Sequence, residues 1–427
     1  MGKLKNKTFF HSIKIDHNRC IGCVQCMRYC PTKAIRVKNS KAIINKELCI
    51  DCGECLRVCE QNAIVPITTS SADINKFKYI VALPSPVLFS QFGQNIMPDQ
   101  ILSALRAIGF DYVYDEAWMC EMTSMAIEKY LGENREQLPI ISSTCPVVVR
   151  LIQKLFPSLC KLIIPIEPPR EIAAKNLREQ LSQKHDLKKK DIGIFHITPC
   201  SAKLVSINHP ETMKYSHLDG ALSIQEIYNE IMMILKKSTE PHLMDVQNRI
   251  SGIGIGWAIS GGEIRGLKSS LAVSVSGVHD TIRILEDVEA GKLKNIEYLE
   301  CLICPDGCVG GPLTVENRFV AKSNALRLIK TFGGKKKVDE NLFMNLYRRG
   351  FFSFEEEVKP KPFPALDRNR SKAIKKIQQI DRIFKKLPKI DCGLCGSPDC
   401  KTFAEDVVRN EAKMEKCIFK KKCERKK

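Results

Sequence analysis

Three things are missing from this 427-residue sequence. No apolar run approaches the ~20 residues that a membrane-spanning helix needs, so no membrane span is expected. The opening MGKLKNKTFF has no apolar core of the kind a secretory signal carries, which points to a cytoplasmic protein. Acid is also short: 48 Asp and Glu stand against 67 Lys and Arg, a formal charge of +19. Part of the excess lies in residues 355–427, with 21 basic and 12 acidic side chains. A basic tail can suggest nucleic acid. Here it reads better as a solvated basic surface, one that helps dock an acidic electron partner or docks nothing at all, and no nucleic acid is expected. Cysteine, in contrast, is abundant, with 20 in the chain. Disulfides are rare in reducing compartments, so this many thiols argue for metal ligation. The length allows two to four domains, and 44% hydrophobic with 27% charged residues fits a globular chain.

The cysteines cluster, eight between 20 and 59 and five between 392 and 423. The first group forms two copies of one unit, CIGCVQCMRYCPTKAI from Cys20 and CIDCGECLRVCEQNAI from Cys49. Both run C-x2-C-x2-C-x3-C and close on an Ala-Ile pair. In bacterial two-cluster ferredoxins each such run gives three ligands to its own cluster and the fourth to its twin's. By that rule Cys20, Cys23, Cys26 and Cys59 hold one 4Fe–4S cluster, and Cys49, Cys52, Cys55 and Cys30 hold the other. Glu60 replaces the usual proline of the second copy, Pro31 being present in the first, and this leaves the ligands untouched.

After the polar stretch 66–75 the pattern changes. Apolar runs at 78–83, 111–115, 138–143, 161–166, 192–197 and 271–277 read as buried strands. Helical patterns at 99–108, 116–131, 146–155, 167–183, 224–236 and 278–290 alternate with them, which indicates α/β architecture with largely parallel sheets. Gly252-Ile-Gly254-Ile-Gly256 lacks the helix and the later acid of a dinucleotide site and reads as a tight turn. Residues 355–370 are charged and proline-rich, as in a linker. A helix over 371–387 follows, with Ile374, Ile377, Ile380, Phe384 and Leu387 in a stripe suited to packing on a neighbouring domain. Then Cys392, Cys395, Cys400 and Cys417 form C-x2-C-x4-C-x16-C, which resembles the small four-cysteine iron–sulfur domain of some electron-transfer and corrinoid proteins. Four thiolates also suit zinc, the second option there. Cys423 reads as a free thiol.

The stretch ECLICPDGCVGG, Glu300 to Gly311, sets Cys304 and Cys308 four apart on a glycine-containing turn. Two thiolates at that spacing can converge on one centre, but a cluster usually takes four. Cys145 in SSTCPVVV and Cys200 in ITPCSAK both follow apolar strands, at the carboxyl ends where open α/β sheets place ligands. TCP, PCSAK and CPDGCVGG in this order resemble the three signatures of the iron-only (FeFe) hydrogenases. The resemblance implies that Cys145, Cys200, Cys304 and Cys308 bind the cubane of an H-cluster, with Cys308 bridging to a di-iron unit carrying carbon monoxide, cyanide and an azadithiolate. It implies that Lys203 hydrogen-bonds a cyanide, a role that suits a compact multi-donor cation. The expected layout is a ferredoxin-like α+β domain (1–75), an α/β H-cluster domain of two sheet-containing lobes (76–354), the linker, and a small helical iron–sulfur domain (371–427).

The departures from the family bear on rate. Active members carry a proton-passing cysteine where this chain has Thr144. An alcohol gives up its proton far less readily than a thiol. Thr198 and Leu302 stand for family methionines, and Ala126 and Ile127 for expected relay acids. The implied activity is slow, reversible dihydrogen oxidation and proton reduction, which fits hydrogen or redox sensing. The implied partners are dihydrogen and protons, a ferredoxin or signalling protein as redox partner, and di-iron maturation proteins. The alternative is a non-catalytic electron-transfer or cluster-assembly protein that lacks the di-iron unit. Lys203 favours the first reading, because a cyanide partner has no use without cyanide.

The reciprocal ligand rule makes a direct prediction. Cys30→Ala should strip iron from the site of Cys49, Cys52 and Cys55 while leaving the four ligands of the first site intact. Iron quantification with electron paramagnetic resonance reads this, and loss confined to the first site would overturn the assignment.

Overall fold

The computed structural model describes residues 9–135, 138–237 and 250–419. The chain divides into two compact units, each discontinuous in sequence. One joins residues 13–66 to the residues from 362 on, and the other holds 67–361 with the segment up to Ser12.

In the first unit, β1 (Ile13–Ile15) pairs antiparallel with β4 (Ile64–Pro66), and β2 (Ile35–Lys38) pairs antiparallel with β3 (Lys41–Ile44). Single-turn helices, Gln25–Arg28 and Glu54–Arg57, interrupt the two cysteine runs at equivalent places. Ile13, Ile35, Ile64 and Met27 close a small core with the cysteines themselves. The later part of the unit is helical, with Arg370–Lys385 and Cys400–Val408 packed together around Ile380, Leu387 and Phe403. Asn369 and Asp399 cap these two helices by accepting from Lys372 N (3.1 Å) and Thr402 N (2.6 Å).

The larger unit carries two parallel sheets. Four strands run in the order β6 (Tyr112–Val113), β5 (Tyr79–Pro84), β8 (Ile192–Thr198), β9 (Gly220–Ser223). Three run in the order β10 (Ala272–Ser276), β11 (Tyr298–Leu302), β7 (Ile140–Ile141). Parallel strands need crossovers, and the helices that supply them cover both faces. Val81, Leu83, Ile192 and Ile194 enter one apolar core, while Ala82, Phe195 and Ile197 enter another. That is the period-two alternation of a strand buried on both sides. Helices Pro98–Ile108, Glu116–Glu133, Pro146–Leu155, Pro169–Lys184, Ile224–Lys237 and Val278–Glu289 occupy the expected helical stretches. Three of them begin on proline, whose missing N–H is no loss in a first turn.

Two expectations fail for local reasons. The run 161–166 is no strand: a 3-10 turn, Pro157–Leu162, occupies its start, and Pro165 removes a donor. Only isolated bridges remain, Ile163 to Ile141 and Ile166 to Ser353. Gly252–Gly256 is a short helix rather than a turn, capped by Ser251, which accepts from Gly254 N at 3.2 Å. Its glycines are needed for approach, since a Cβ on Gly254 would lie 1.9 Å from Ala117 O at the start of Glu116–Glu133. Strands β9 and β11 and the helices Ser201–Asn208, Arg318–Phe332 and Glu340–Arg348 were not anticipated. The start of the expected linker is fixed along the larger unit: Glu355 N and Glu356 N donate to Thr212 O (3.0 and 2.8 Å), and Lys361 N donates to Gln153 O (3.0 Å). Among the described residues no helix is long and apolar enough to cross a membrane.

Close backbone contact at Gly254 gives a sharp test. Gly254→Ala should lower stability by about 1–3 kcal/mol, the usual cost of overpacking, as a fall in the urea midpoint. Gly132→Ala, in the same partner helix but facing open space, should leave the midpoint unchanged or raise it.

Candidate metal centres

Cys20, Cys23, Cys26 and Cys59 line one apolar pocket with Ile15 and Val37. Cys30, Cys49 and Cys55 lie close enough to Cys52 for their charges to act on it. Burial, with the neighbouring thiols adding to it, pushes Cys26 up to about 12 and raises Cys52 and Cys55 well above the usual thiol range. Buried thiols so crowded are poor company as anions. A bound metal supplies the positive charge that reverses the shift, so the donor sets fit iron–sulfur clusters. Backbone N–H groups are aimed at four of the sulfurs: Ala34 N to Cys30 Sγ (3.1 Å), Ala63 N to Cys59 Sγ (3.3 Å), Ala42 N to Cys20 Sγ (3.3 Å) and Asp51 N to Cys49 Sγ (3.4 Å). The first two come from the alanines that follow the fourth cysteine of each copy, which gives the repeated Ala-Ile pair a purpose. Such bonds stabilise sulfur charge and tune cluster potential.

Cys392, Cys395, Cys400 and Cys417 likewise line one pocket, with Leu387 and Phe403. Cys400 N donates to Asp391 Oδ1 at 2.7 Å. Cys423 lies outside the described residues.

In the larger unit the chain delivers its central cysteines from strand ends. Cys145 and Cys200 are the residues just before helices Pro146–Leu155 and Ser201–Asn208. Thr198 holds the second of these loops, its Oγ1 donating to Cys200 O and accepting from Cys200 N, both at 3.1 Å. Cys304 and Cys308 flank a turn after β11, closed by Gly307 N donating to Cys304 O at 3.1 Å. Asp306 of that turn is anchored by Lys322 (2.8 Å) and Arg318 (3.4 Å). The structure brings Cys145, Cys200 and Cys308 together with Lys203. Burial pushes Cys308 up to about 12, Lys203 opposes this, and Cys145 and Cys200 add to it. Lys203 sits in the first turn of its helix and is 8% exposed. Beside Cys200, Ser201 Oγ is buried with no hydrogen-bond partner in the protein. Converging thiols, an inward ammonium and an orphaned hydroxyl fit a centre with anionic, hydrogen-bond-accepting ligands.

Glu116 and His196 form a buried pair nearby, 2.9 Å apart. Burial pulls His196 down to about 4 against the pull of Glu116, so at neutral pH the ring is uncharged. Burial also works against the charge of Glu116, but His196, Lys203 and Arg170 together hold its carboxyl below the usual range.

Behind Thr144 lies a polar network that the sequence did not disclose. Glu263 accepts hydrogen bonds from Ser142 Oγ (3.0 and 2.9 Å to its two oxygens) and from Tyr298 Oη, and Thr144 lies close enough to help hold its carboxyl down. Glu300, in the middle of β11, accepts from Gly261 N (2.9 Å), Ile264 N (3.2 Å) and Ser274. Ser274 Oγ meets Ser260 Oγ at 2.8 Å, and both serines are half-buried. Burial, and for Glu263 the neighbouring Glu300, raises the two carboxyls to about 8 and about 7. Ala126 and Ile127 are buried in apolar core, as their residue types require. A signal for the network did exist: YLECL reads as a buried strand, and a glutamate inside one is costly unless it is used. Cys120, Cys160 and Cys301 are buried away from any ligand role assigned from the sequence, although the charge of Cys145 reaches Cys301.

Residues 78–270 and 262–312 match the family described as iron only hydrogenase large subunit, C-terminal domain. Residues 12–60 match a 4Fe-4S dicluster domain, and 387–419 match a domain described as a putative Fe-S cluster. The periplasmic Fe hydrogenase large subunit of Nitratidesulfovibrio vulgaris is 26% identical over 365 residues, 70% of this chain and 86% of that protein. Iron hydrogenase 1 of Clostridium pasteurianum is 22% identical over 368 residues, 70% of this chain and 64% of that one. In structure the chain is similar to a variant of the FeFe-hydrogenase HydA1 from Chlamydomonas reinhardtii, with a TM-score of 0.53 at 16% identity, over 68% of this chain and 98% of that one. At that identity the likeness is one of fold.

The raised carboxyl of Glu263 has a measurable consequence. Its folded pKa exceeds the unfolded value, so between roughly pH 4.5 and 8 the folded state binds more protons. Its contribution to stability is full below that window and is lost as pH rises through it. Glu263→Gln should flatten the fall, narrowing the gap between the two proteins' pH–stability profiles by roughly 1–4 kcal/mol across the window. Parallel urea titrations at pH 5 and pH 8 check it, and an unchanged slope would show that Glu263 is ionised when folded.

Proposed function

This chain belongs to the iron-only hydrogenase large-subunit family, and from that premise we propose that it interconverts dihydrogen with protons and electrons, at a rate suited to sensing. Cys145, Cys200, Cys304 and Cys308 would hold the cubane, and Cys308 would be the cysteine it shares with the di-iron group. The observation that carries the reading is Lys203, buried against Cys200 and Cys308 where an anionic ligand would need a cation. Its three donors suit cyanide. When bound, the di-iron group would supply the redox chemistry of dihydrogen, and the cysteine sets of the ferredoxin-like and C-terminal segments would hold the clusters that exchange electrons with a redox partner protein. Maturation proteins deliver the di-iron group.

The chain's own residues govern the proton. Thr144 Oγ1 cannot hold a negative charge near neutral pH, so it passes a proton only by taking one as it gives one up. Glu263 lies beside Thr144, and Glu300 acts on Glu263 in turn. Both titrate near neutrality, where a relay group works best. Ser142 and Tyr298 hold Glu263 in place, and Ser274 with Ser260 leads from Glu300 towards the half-buried edge of the sheet. The proton route therefore uses Glu263 and Glu300 in place of acids at positions 126 and 127, and Thr144 is its slow step.

Infrared bands of metal-bound carbonyl and cyanide in maturase-loaded protein test the premise, since their absence would sink the catalytic reading. Given those bands, Thr144→Cys alone should raise dihydrogen turnover, roughly tenfold or more, without changing iron content. Glu263→Gln should lower it by roughly a hundredfold with the bands unmoved. A Thr144→Cys protein that is no faster would show that proton delivery does not limit this chain.

A further inference from the structure

The helical C-terminal segment and the ferredoxin-like segment share one unit, and their contacts fall next to candidate ligands on both sides. Met27, which follows Cys26, is fully buried, and its Cε lies 3.1 Å from where a Cβ on Gly393 would be, the residue after Cys392. Arg28 donates from its guanidinium to Cys392 O at 3.1 Å. Val37, which lines the pocket of Cys20, Cys23, Cys26 and Cys59, donates its N–H to Gly396 O at 2.9 Å, one residue after Cys395. Gly396 has φ +86, and a Cβ there would sit 2.0 Å from Val37 O, so the two backbones touch. The seam is locked by a buried fork. Arg36 Nε and Nη2 donate to Asp406 Oδ2 and Oδ1 at 2.6 and 2.8 Å, and Ser397 Oγ donates to Oδ2 at 2.6 Å. The side chains of Arg36 and Asp406 are only 10% and 5% exposed.

On the side of the second ferredoxin site a cavity intervenes. Thr32, whose Oγ1 lies 3.8 Å from Cys30 Sγ, and Leu48, the residue before Cys49, line an open pocket with Thr402 and Asp406. The direct contact there is Lys33, three residues after Cys30, whose ammonium pairs with Asp399 at 2.6 Å and is 51% exposed. Electron tunnelling falls off exponentially with distance and is slower through gaps than through packed atoms. A buried one-residue link on each side therefore outweighs a solvated ion pair.

We propose that the C-terminal cluster is wired to the Cys20–Cys23–Cys26–Cys59 cluster, and not to the Cys30–Cys49–Cys52–Cys55 cluster, across the Met27–Gly393 and Val37–Gly396 contacts. This rests on reading each four-thiol set as an iron–sulfur cluster. One electron passes per event: the first-site cluster goes from its 1+ to its 2+ state, and the C-terminal cluster goes from 2+ to 1+. No bond forms or breaks, and no proton moves. The reductant is a low-potential one-electron donor, dithionite in the test below.

The experiment uses the full chain with its clusters reconstituted anaerobically. Iron analysis and Mössbauer spectra come first. Zinc or no iron at Cys392, Cys395, Cys400 and Cys417 would overturn the proposal by removing its cluster, and is distinguishable from faulty wiring, where iron is complete. In the dithionite-reduced protein, pulsed electron paramagnetic resonance should show the C-terminal cluster relaxing at least tenfold faster than an isolated cluster. This enhancement should survive Cys30→Ala, which removes a ligand of the second site, and vanish in Cys59→Ala, which removes one from the first. The reverse pattern, or slow relaxation in the wild-type protein itself, would overturn it. Gly396→Val touches no ligand but pushes against Val37 O, and should slow electron arrival at the C-terminal cluster at least tenfold in rapid-freeze samples. Unchanged arrival with the full iron complement would show that the electron takes another path.

Discussion

Everything in this protein is arranged around the electrostatic problem of gathering thiols inside low-dielectric protein. Four sulfurs that meet in a pocket must either stay protonated or find positive charge, and burial, with the neighbouring thiols adding to it, drives Cys26 and Cys308 to about 12. A bound metal would supply that charge, as the donor sets suit iron–sulfur clusters. The remaining balance comes from the chain: N–H groups of Ala34, Ala42, Asp51 and Ala63 on sulfur in the ferredoxin-like part, and Lys203 in the centre. The sheets serve the same end. Parallel strands point their carboxyl ends one way, so Cys145, Cys200 and the Cys304–Cys308 turn all come from loops that follow strands.

How much of this could be read from the sequence follows from how local each feature is. The cysteine runs are short-range patterns whose spacing already encodes the chemistry, and the pockets gather the same thiols that the spacing groups. The alternation of strands and long helices was legible because hydrophobic periodicity is also local. The run 161–166 forms no strand because apolar composition does not specify a free neighbouring strand, and Pro165 lacks the N–H that pairing needs. The glycines of 252–256 looked like a loop because their reason lies on another helix, at Ala117 O.

The polar network around Glu263 and Glu300 illustrates the harder case. Its members come from separate stretches: Ser142 and Thr144 after β7, Ser260 and Glu263 at and just before a short helix, Ser274 from β10, and Glu300 with Tyr298 from β11. No window of sequence contains them together. Ala126 and Ile127 on the helix Glu116–Glu133 are buried among apolar neighbours, and the buried carboxyls of the network lie on other elements.

The pairing of Arg36 with Asp406 spans 370 residues and closes a unit made from two segments far apart in the sequence. Residues 67–361 lie between those segments, so the larger unit is an insertion tethered at both ends. While the Arg36–Asp406 fork holds, the two tethers cannot part. A segment held at both ends has fewer unfolded conformations open to it, so a contact inside the smaller unit also limits what the larger one gains by opening.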